Sequence, residues 1–535
     1  MVEIEARTAD QLHLELGRMS RAGFLGRASA LGLVVVGGPS LAAACGSSGS
    51  AATGTSAGNP VRGGTAQIAM AGASQKDTLD PMLMADNPQQ FTCGLLYDPL
   101  FDVDETTWTP KPGLVETWHL SPDAKEYTFI LRDGVKFHDG TPLTSAAVAY
   151  NLKRHTTKSV GSPMYARFAG VLPPSGIEIV DQKTVKLHLI KPDAYIPVAL
   201  SLQWCGIVPA GSPAKGIGTG PFKLKSWTPG QGFEFDRNPD YWQSGKPYLD
   251  VVRAIDIEDP TSKVQSVISG ASSITDQIEY AALPAVKSSS SAKLLTGENW
   301  AFQNVVFPAS APQFHDPRIV GAIKLAVDRQ KMVEVGLAGN GNAVRDVCVP
   351  AGSPQMPSGL SLTPDIAGAK KLLSEAGFPN GIDIQLHTSD AVSHITNLAV
   401  EFAQTVAPAG IRVHVQQVPA QTYWDQNFLS KNAYLDWWSR LSAIDYVATL
   451  YRSSAPFNET DFSNTQFEAL MDKAQATPDA TTSASYIQQA MSILSDKASQ
   501  VIAGFSTEYL AAKNDLQGAE PSVRYIVDFR NAYIG

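Results

Sequence analysis

The chain has 535 residues, 44% of them hydrophobic and 17% charged, with a formal net charge of −9. That length exceeds one hydrophobic core; a prior of about 150 residues per domain gives about three domains or subdomains. The composition is globular rather than disordered or fibrous, and an acidic chain without basic clusters is not expected to bind nucleic acid.

Arg18, Arg21 and Arg27 precede the apolar run from Ala28 to Val36, which breaks at Gly37-Gly38-Pro39 and passes through small residues to Cys45. Positive flank, short apolar stretch and small-residue zone read as a signal peptide over 1–44. The run is too short for the roughly 20 apolar residues of a membrane span. Leu41-Ala42-Ala43-Ala44-Cys45 resembles a lipobox, with Ala42 where the pattern prefers Leu, and points to lipidation of Cys45. Residues 46–58 are Gly, Ser, Ala and Thr, so 45–60 reads as a flexible tether. Ser20-Arg21-Ala22-Gly23-Phe24-Leu25 approaches a twin-arginine signal but has Ala22 in place of the second arginine, which leaves the export route open. Segment 1–44 carries four acids and four arginines, so its removal leaves −9.

The four cysteines, Cys45, Cys93, Cys205 and Cys348, form no Cys-x-x-Cys pair, and there is no His-Glu-x-x-His signature. Neither a metal nor a cofactor is expected. With Cys45 acylated an odd number remains; the expected state of each is a buried thiol, and the pairing stays open.

Beyond Pro60 the pattern becomes regular. Thr65 to Met70 reads as an opening strand. Tyr127, Phe129 and Leu131 alternate with polar residues, Asp133-Gly134 turns, and Val135 and Phe137 resume the alternation, which predicts a hairpin. Thr144 is a candidate N-cap for a helix over 145–154. A second hairpin is predicted from Ile177 and Ile179 to Val185, Leu187 and Leu189. Asp316-Pro317 predicts a helix start, and Thr363-Pro364 another that stops at Gly377. Strand 382–387, helix 397–406 and strand 412–418 make a β-α-β unit, which requires a parallel pair. The fold class is α/β, in several lobes.

Five blocks then carry a resemblance. They are Gly94-Leu95-Leu96-Tyr97-Asp98-Pro99-Leu100-Phe101; Tyr127 through Phe137-His138-Asp139-Gly140-Thr141-Pro142; Gly218-Thr219-Gly220-Pro221-Phe222 with Arg237-Asn238-Pro239-Asp240-Tyr241-Trp242; Arg318 through Asp328-Arg329; and Ala369 through Leu373 with Gly377. In this order they are similar to family 5 of the bacterial extracellular solute-binding proteins, from about Gly64 to the C-terminus. The resemblance implies a type II periplasmic-binding-protein fold: two lobes on two hinge strands, closing like a flytrap, with a β-rich subdomain inserted in lobe I. Mapped onto the chain, lobe I comprises 61–100, 206–300 and 500–535, the insert 101–205 and lobe II 301–499, with hinges near 300 and 500. It implies a monomeric binding subunit of an ABC importer, lipid-anchored at the membrane, that captures a peptide or related solute for separate permease and ATPase subunits.

No catalytic constellation emerges. His138-Asp139 sits at a turn marked by Gly140, a structural corner. Gly54-Thr55-Ser56-Ala57-Gly58 fits the nucleophile-elbow pattern but lies in the tether, without the strand and helix an elbow needs. The segment from Asp436 to Tyr446 is the candidate ligand site. Trp437, Trp438, Arg440, Asp445 and Tyr446 are its candidate binding residues, with Asn299 and Trp300 beside a hinge. The alternative is that Trp437 and Tyr446 pack in the lobe II core and Asp445 caps a helix over 446–451. Peptide-binding relatives place an aspartate for the ligand's ammonium in this region; the counterpart here, Trp438-Ser439-Arg440-Leu441, has none. Arginine suits a carboxylate or phosphate, so an anionic group on the ligand is expected: an acidic or N-modified peptide, or an opine-like conjugate. A non-peptide ligand of the same fold and a lipid-anchored hydrolase remain the competing readings.

Overall fold

The computed structural model describes residues 60–84, 86–389 and 394–535; the expected signal peptide over 1–44, Cys45 and the expected tether up to 59 lie outside the described residues. Two large sheets organise the body. One has seven strands in the order Ala292–Gly297, Glu508–Lys513, Ile274–Gln277, Thr65–Met70, Val251–Asp256, Gly232–Arg237 and Phe222–Thr228. Ile68, Val252 and Leu510 from its strands pack with Phe91 of helix Asn87–Leu96 in one core. The other has six, in the order Gly341–Ala343, Gln500–Ser506, Ala301–Val306, Ala433–Ser439, Ile382–Thr388 and Ile411–Gln417.

Every residue of Ala301–Val306 and of Gln500–Ser506 is buried. A strand covered on both faces does not need to alternate, and these do not. Val305 and Val501 face a core containing Phe402, while Phe302 and Ile502 face a second core with Tyr446 and Met491. Ile382–Thr388 and Ile411–Gln417 run parallel, joined by helix Ile395–Val406, as a β-α-β crossover requires.

The chain passes between the sheets twice. Ala292–Gly297 belongs to the first sheet and Ala301–Val306 to the second, so one crossing is residues 298–300, with Asn299 at φ 51°. The return crossing is Thr507, not a point near 500, because Gln500–Ser506 pairs with Ala301–Val306 before Glu508–Lys513 joins the first sheet. The Trp300 amide donates to the Ser506 carbonyl at 2.7 Å and ties the crossings together.

Between Phe101 and Cys205 lies a third body, a four-stranded sheet ordered Val115–Leu120, Glu126–Leu131, Thr184–His188 and Ile177–Ile179, with its own core of Phe101, Phe129, Val185 and Leu187. The hairpin expected across Asp133-Gly134 does not form. Glu126–Leu131 has its two edges filled by Val115–Leu120 and Thr184–His188, so Val135 and Phe137 enter the core from a loop. Helix Ser145–His155 does begin at Thr144, whose hydroxyl accepts from the Ala147 amide. The cap of helix Ile366–Glu375 is Asp365, the residue after the proline, rather than Thr363: its carboxylate accepts from the Gly368 amide.

Two buried polar joints tie the sequence blocks together. Asp98 accepts from Thr219 Oγ1 (2.9 Å), Tyr241 Oη (3.0 Å) and Trp242 Nε1 (2.8 Å), and burial pushes its carboxyl up to about 6. His138 accepts the Gly218 amide at Nδ1 (3.2 Å) and donates from Nε2 to the Gly220 carbonyl (3.0 Å), which requires a neutral ring; burial lowers it to about 4. Asp98→Ala strands three donors, and an unfolding free energy lower by about 3 kcal/mol is expected in urea melts. Because the unfolded imidazole, ordinarily near 6.5, takes its proton before the folded one, His138 contributes fully above pH 6.5 and less as pH falls toward 4. The fall in urea midpoint between about pH 7 and 5 is therefore expected to be shallower in His138→Asn than in the native chain.

Candidate functional site

The insert and the second lobe face each other across a cavity of about 630 Å³. Thr106–Pro110, Trp118, Tyr127 and Tyr195 line it from the insert, and Val349–Pro350, Ser353–Gln355 and Arg440–Ala443 from the second lobe. Apolar residues dominate, aromatic, proline and aliphatic alike, with hydroxyls and one amide side chain between. Arg440 is the one charged residue among the described residues of the wall.

Arg440 follows strand Ala433–Ser439, and its amide donates to the Trp300 carbonyl at 2.9 Å, which fixes its backbone to the first crossing. Its Nη2 donates to the carbonyls of Glu105 and Thr106, both at 2.6 Å, in the loop between strands Phe101–Asp104 and Thr109–Pro112. That loop is held from behind. The Glu105 carboxylate accepts from Arg524 Nε (2.8 Å), Ser522 Oγ (2.9 Å) and the Val523 amide (2.7 Å). Nε and Nη1 of Arg440 are buried without a hydrogen-bond partner among the described residues. Burial lowers its guanidinium to about 10.

The other candidates are placed differently. Asp445 is not in the cavity wall. Its carboxylate accepts from Arg167 Nε at 3.0 Å and from Ser442 Oγ at 2.5 Å, and it lies in the first turn of helix Ala443–Tyr446, which Ser442, not Asp445, caps. Trp438 is buried in the second lobe and donates from Nε1 to Glu459 at 3.2 Å. Tyr446 is buried beside Phe302, with its hydroxyl on the Ser439 carbonyl at 2.6 Å. Trp437 is half-buried and turns toward the first lobe's core, where Trp300 also packs. Asn299 accepts from Asn342 Nδ2 at 3.1 Å at the crossing.

What the sequence did not reveal is the insert's share of the site. Trp108, Trp118, Tyr127 and Tyr195 lie far from Arg440 along the chain, and none belongs to a motif that announces a ligand. Arg167 was missed as well. It is buried between Asp193 (2.5 Å) of the insert and Asp445 (3.0 Å) of the second lobe. Around it, Gln475 Nε2 donates to Asp193 at 2.8 Å, the Ala194 amide to the Gln475 carbonyl at 2.8 Å, and the Tyr195 and Ser483 hydroxyls meet at 2.6 Å.

Two lobes joined by a pair of strand crossings and shut over a mostly apolar cavity with few polar groups define a solute-binding protein of the flytrap class. The sequence profile described as "Bacterial extracellular solute-binding proteins, family 5 Middle" matches residues 109–460. The chain belongs to that family. Its members are the solute-binding components of ABC importers, acting outside the cytoplasmic membrane with separate permease and ATPase subunits. No helix among the described residues is long and apolar enough to cross a membrane.

Among relatives, the glutathione-binding protein GsiB of Escherichia coli O1:K1 is 27% identical over 365 residues, spanning 66% of this chain and 70% of its own. GsiB of Shigella dysenteriae serotype 1 is 26% identical over 450 residues, spanning 80% and 86%. The binding protein AgaA of A. tumefaciens R10, solved with agropinic acid, superposes with a TM-score of 0.75 at 25% identity, over 88% of this chain and 99% of that one. DppA of Helicobacter pylori, solved with the peptide STSA, gives 0.76 at 20% identity, over 89% and 98%.

Arg167→Ala leaves two buried carboxylates facing each other without their cation, at a cost of about 3–5 kcal/mol. The insert is then expected to separate from the second lobe, seen as a larger radius of gyration in small-angle X-ray scattering. An unchanged radius would show that the contact does not depend on this ion pair.

Proposed function

We propose that this chain is the lipid-anchored, monomeric receptor of an ABC importer and captures a peptide or peptide-like solute between its insert and second lobe. The observation that carries the reading is the cavity of about 630 Å³ with Arg440 in its wall. Its size falls in the range of about 300–1,000 Å³ typical of small-molecule sites. The lobes close over solute and the permease reads the closed form. Solute adds contacts that only the closed form offers, and so shifts the population toward it. No bond is made or broken.

The peptide class is supported by the names of the relatives: glutathione for GsiB, and the peptide STSA for H. pylori DppA. A non-peptide solute is the second reading, favoured by the likeness to AgaA with agropinic acid. The anchor reading rests on Cys45 after a signal-like segment and before a tether. Two acyl chains hold a protein at a membrane where one holds it only marginally.

Native mass spectrometry of the full chain, gently purified from bacterial membranes, is expected to show a retained species of a few hundred daltons that leaves on mild activation. The same spectra are expected to carry a lipid mass that Cys45→Ala lacks. Turnover of peptides by the purified chain, or the lack of any retained or re-bound solute across di- and tripeptide pools, would overturn the proposal.

A further inference from the structure

Charge accounting in the interior narrows the solute. Six cationic side chains among the described residues are buried: Arg167, Lys263, Lys324, Arg329, Arg440 and Arg524. Five of them have carboxylate partners. Arg167 has Asp193 and Asp445, Lys263 has Asp276, Lys324 and Arg329 share Asp346, and Arg524 has Asp102 and Glu105. Arg440 forms no ion pair among the described residues. Two carbonyl dipoles hold one of its three nitrogens, and the other two have no partner.

The carboxylates nearest the cavity are already committed. Glu105 is taken by Arg524 at 2.8 Å, Asp104 by Lys111 at 3.2 Å, and Asp193 and Asp445 by Arg167. The described wall of the cavity contains no Asp, Glu, Lys or His. A cation out of water needs a counter-charge; Arg440 feels Glu105 and Asp104 only without contact, and both are paired with other cations. By the same argument, an ammonium brought into this cavity would find no carboxylate to meet it.

Resting on the solute-capture reading above, we infer that the solute is a monocarboxylate without a free ammonium group, such as an N-acylated or otherwise N-blocked amino acid or dipeptide, with its carboxylate as the counter-ion of Arg440. One carboxylate balances one guanidinium. A phosphate monoester, at roughly −1.5 to −2, would bury an unmatched charge. A zwitterionic dipeptide would balance overall but would leave its ammonium facing hydroxyls, prolines and aromatic rings. The remaining wall, with Trp108, Trp118, Tyr127 and Tyr195, suits an apolar body.

The test is isothermal titration calorimetry on the full chain with three matched probes: Leu-Phe, N-acetyl-Leu-Phe and N-acetyl-Leu-Phe amide. The N-acetyl acid is expected to bind about tenfold or more tighter than either of the others, because each of those leaves a buried charge unmet. Arg440→Gln is expected to abolish the preference for the acid over its amide. Arg440 also holds the 105–106 loop, so Arg440→Lys provides the control: charge without the planar fork, expected to keep the preference at reduced affinity. Free Leu-Phe binding as tightly as its N-acetyl form, or an unchanged acid-over-amide preference in Arg440→Gln, would overturn the inference and leave solute capture standing. If all three probes fail to bind, mixed pools of free and N-acetylated di- and tripeptides decide by mass spectrometry. Recovery of N-acetylated members upholds the inference and recovery of free ones overturns it; recovery of none overturns this inference and the capture reading together.

Discussion

A charge removed from water has to be met by another charge or by well-placed dipoles, and that requirement shapes the contact between the insert and the second lobe. Arg167 meets it twice, with Asp193 from its own body and Asp445 from across the gap. Because neither carboxylate can be left alone cheaply, the pair of bodies has one preferred docking. Gln475 and the Tyr195–Ser483 contact then share that geometry rather than define it. The cavity exists because this docking brings rigid surfaces together around a space they do not fill.

The same accounting explains the division of labour between the recognisable sequence blocks and the site. Asp98, with Thr219, Tyr241 and Trp242, and His138, with Gly218 and Gly220, are joints between segments distant in sequence. Each satisfies buried polar groups with demanding geometry, so only a few residue types fit. Of these joint residues, none is in the cavity wall. The blocks therefore chiefly carry the fold; of the described wall residues, Tyr127 alone lies in one of them.

This accounts for what the sequence made legible. The second lobe's β-α-β unit was readable because its signals are local: alternation along Ile382–Thr388 and a helical stripe in Ile395–Val406. Arg440 stood out in the sequence because an arginine beside two tryptophans is chemically conspicuous, and it stands in the cavity wall. Errors came where a distant partner decided the outcome. Val135 and Phe137 alternate correctly for a strand, but the strand they would join was already paired on both edges. The return crossing was placed seven residues early because Gln500–Ser506 is claimed by Ala301–Val306. The partner of Asp445, Arg167, is 278 residues away, where no local signal could point to it.

Arg167 and Arg440 lie on the same seam and have opposite consequences for closure. Arg167 finds its counter-charges within the protein, so its contribution to the closed form is available whatever the cavity holds. Arg440, buried at the same contact, donates to two carbonyls there and has no ion pair among the described residues. An empty closed form thus gains the first interaction and is penalised by the second. An anion at Arg440 removes the penalty, and the free energy it releases is the differential affinity by which a solute shifts a two-state equilibrium. A neutral solute of the same shape fills the same space without that term. In such an arrangement selectivity comes less from the fit of the wall than from one buried charge the protein does not neutralise itself.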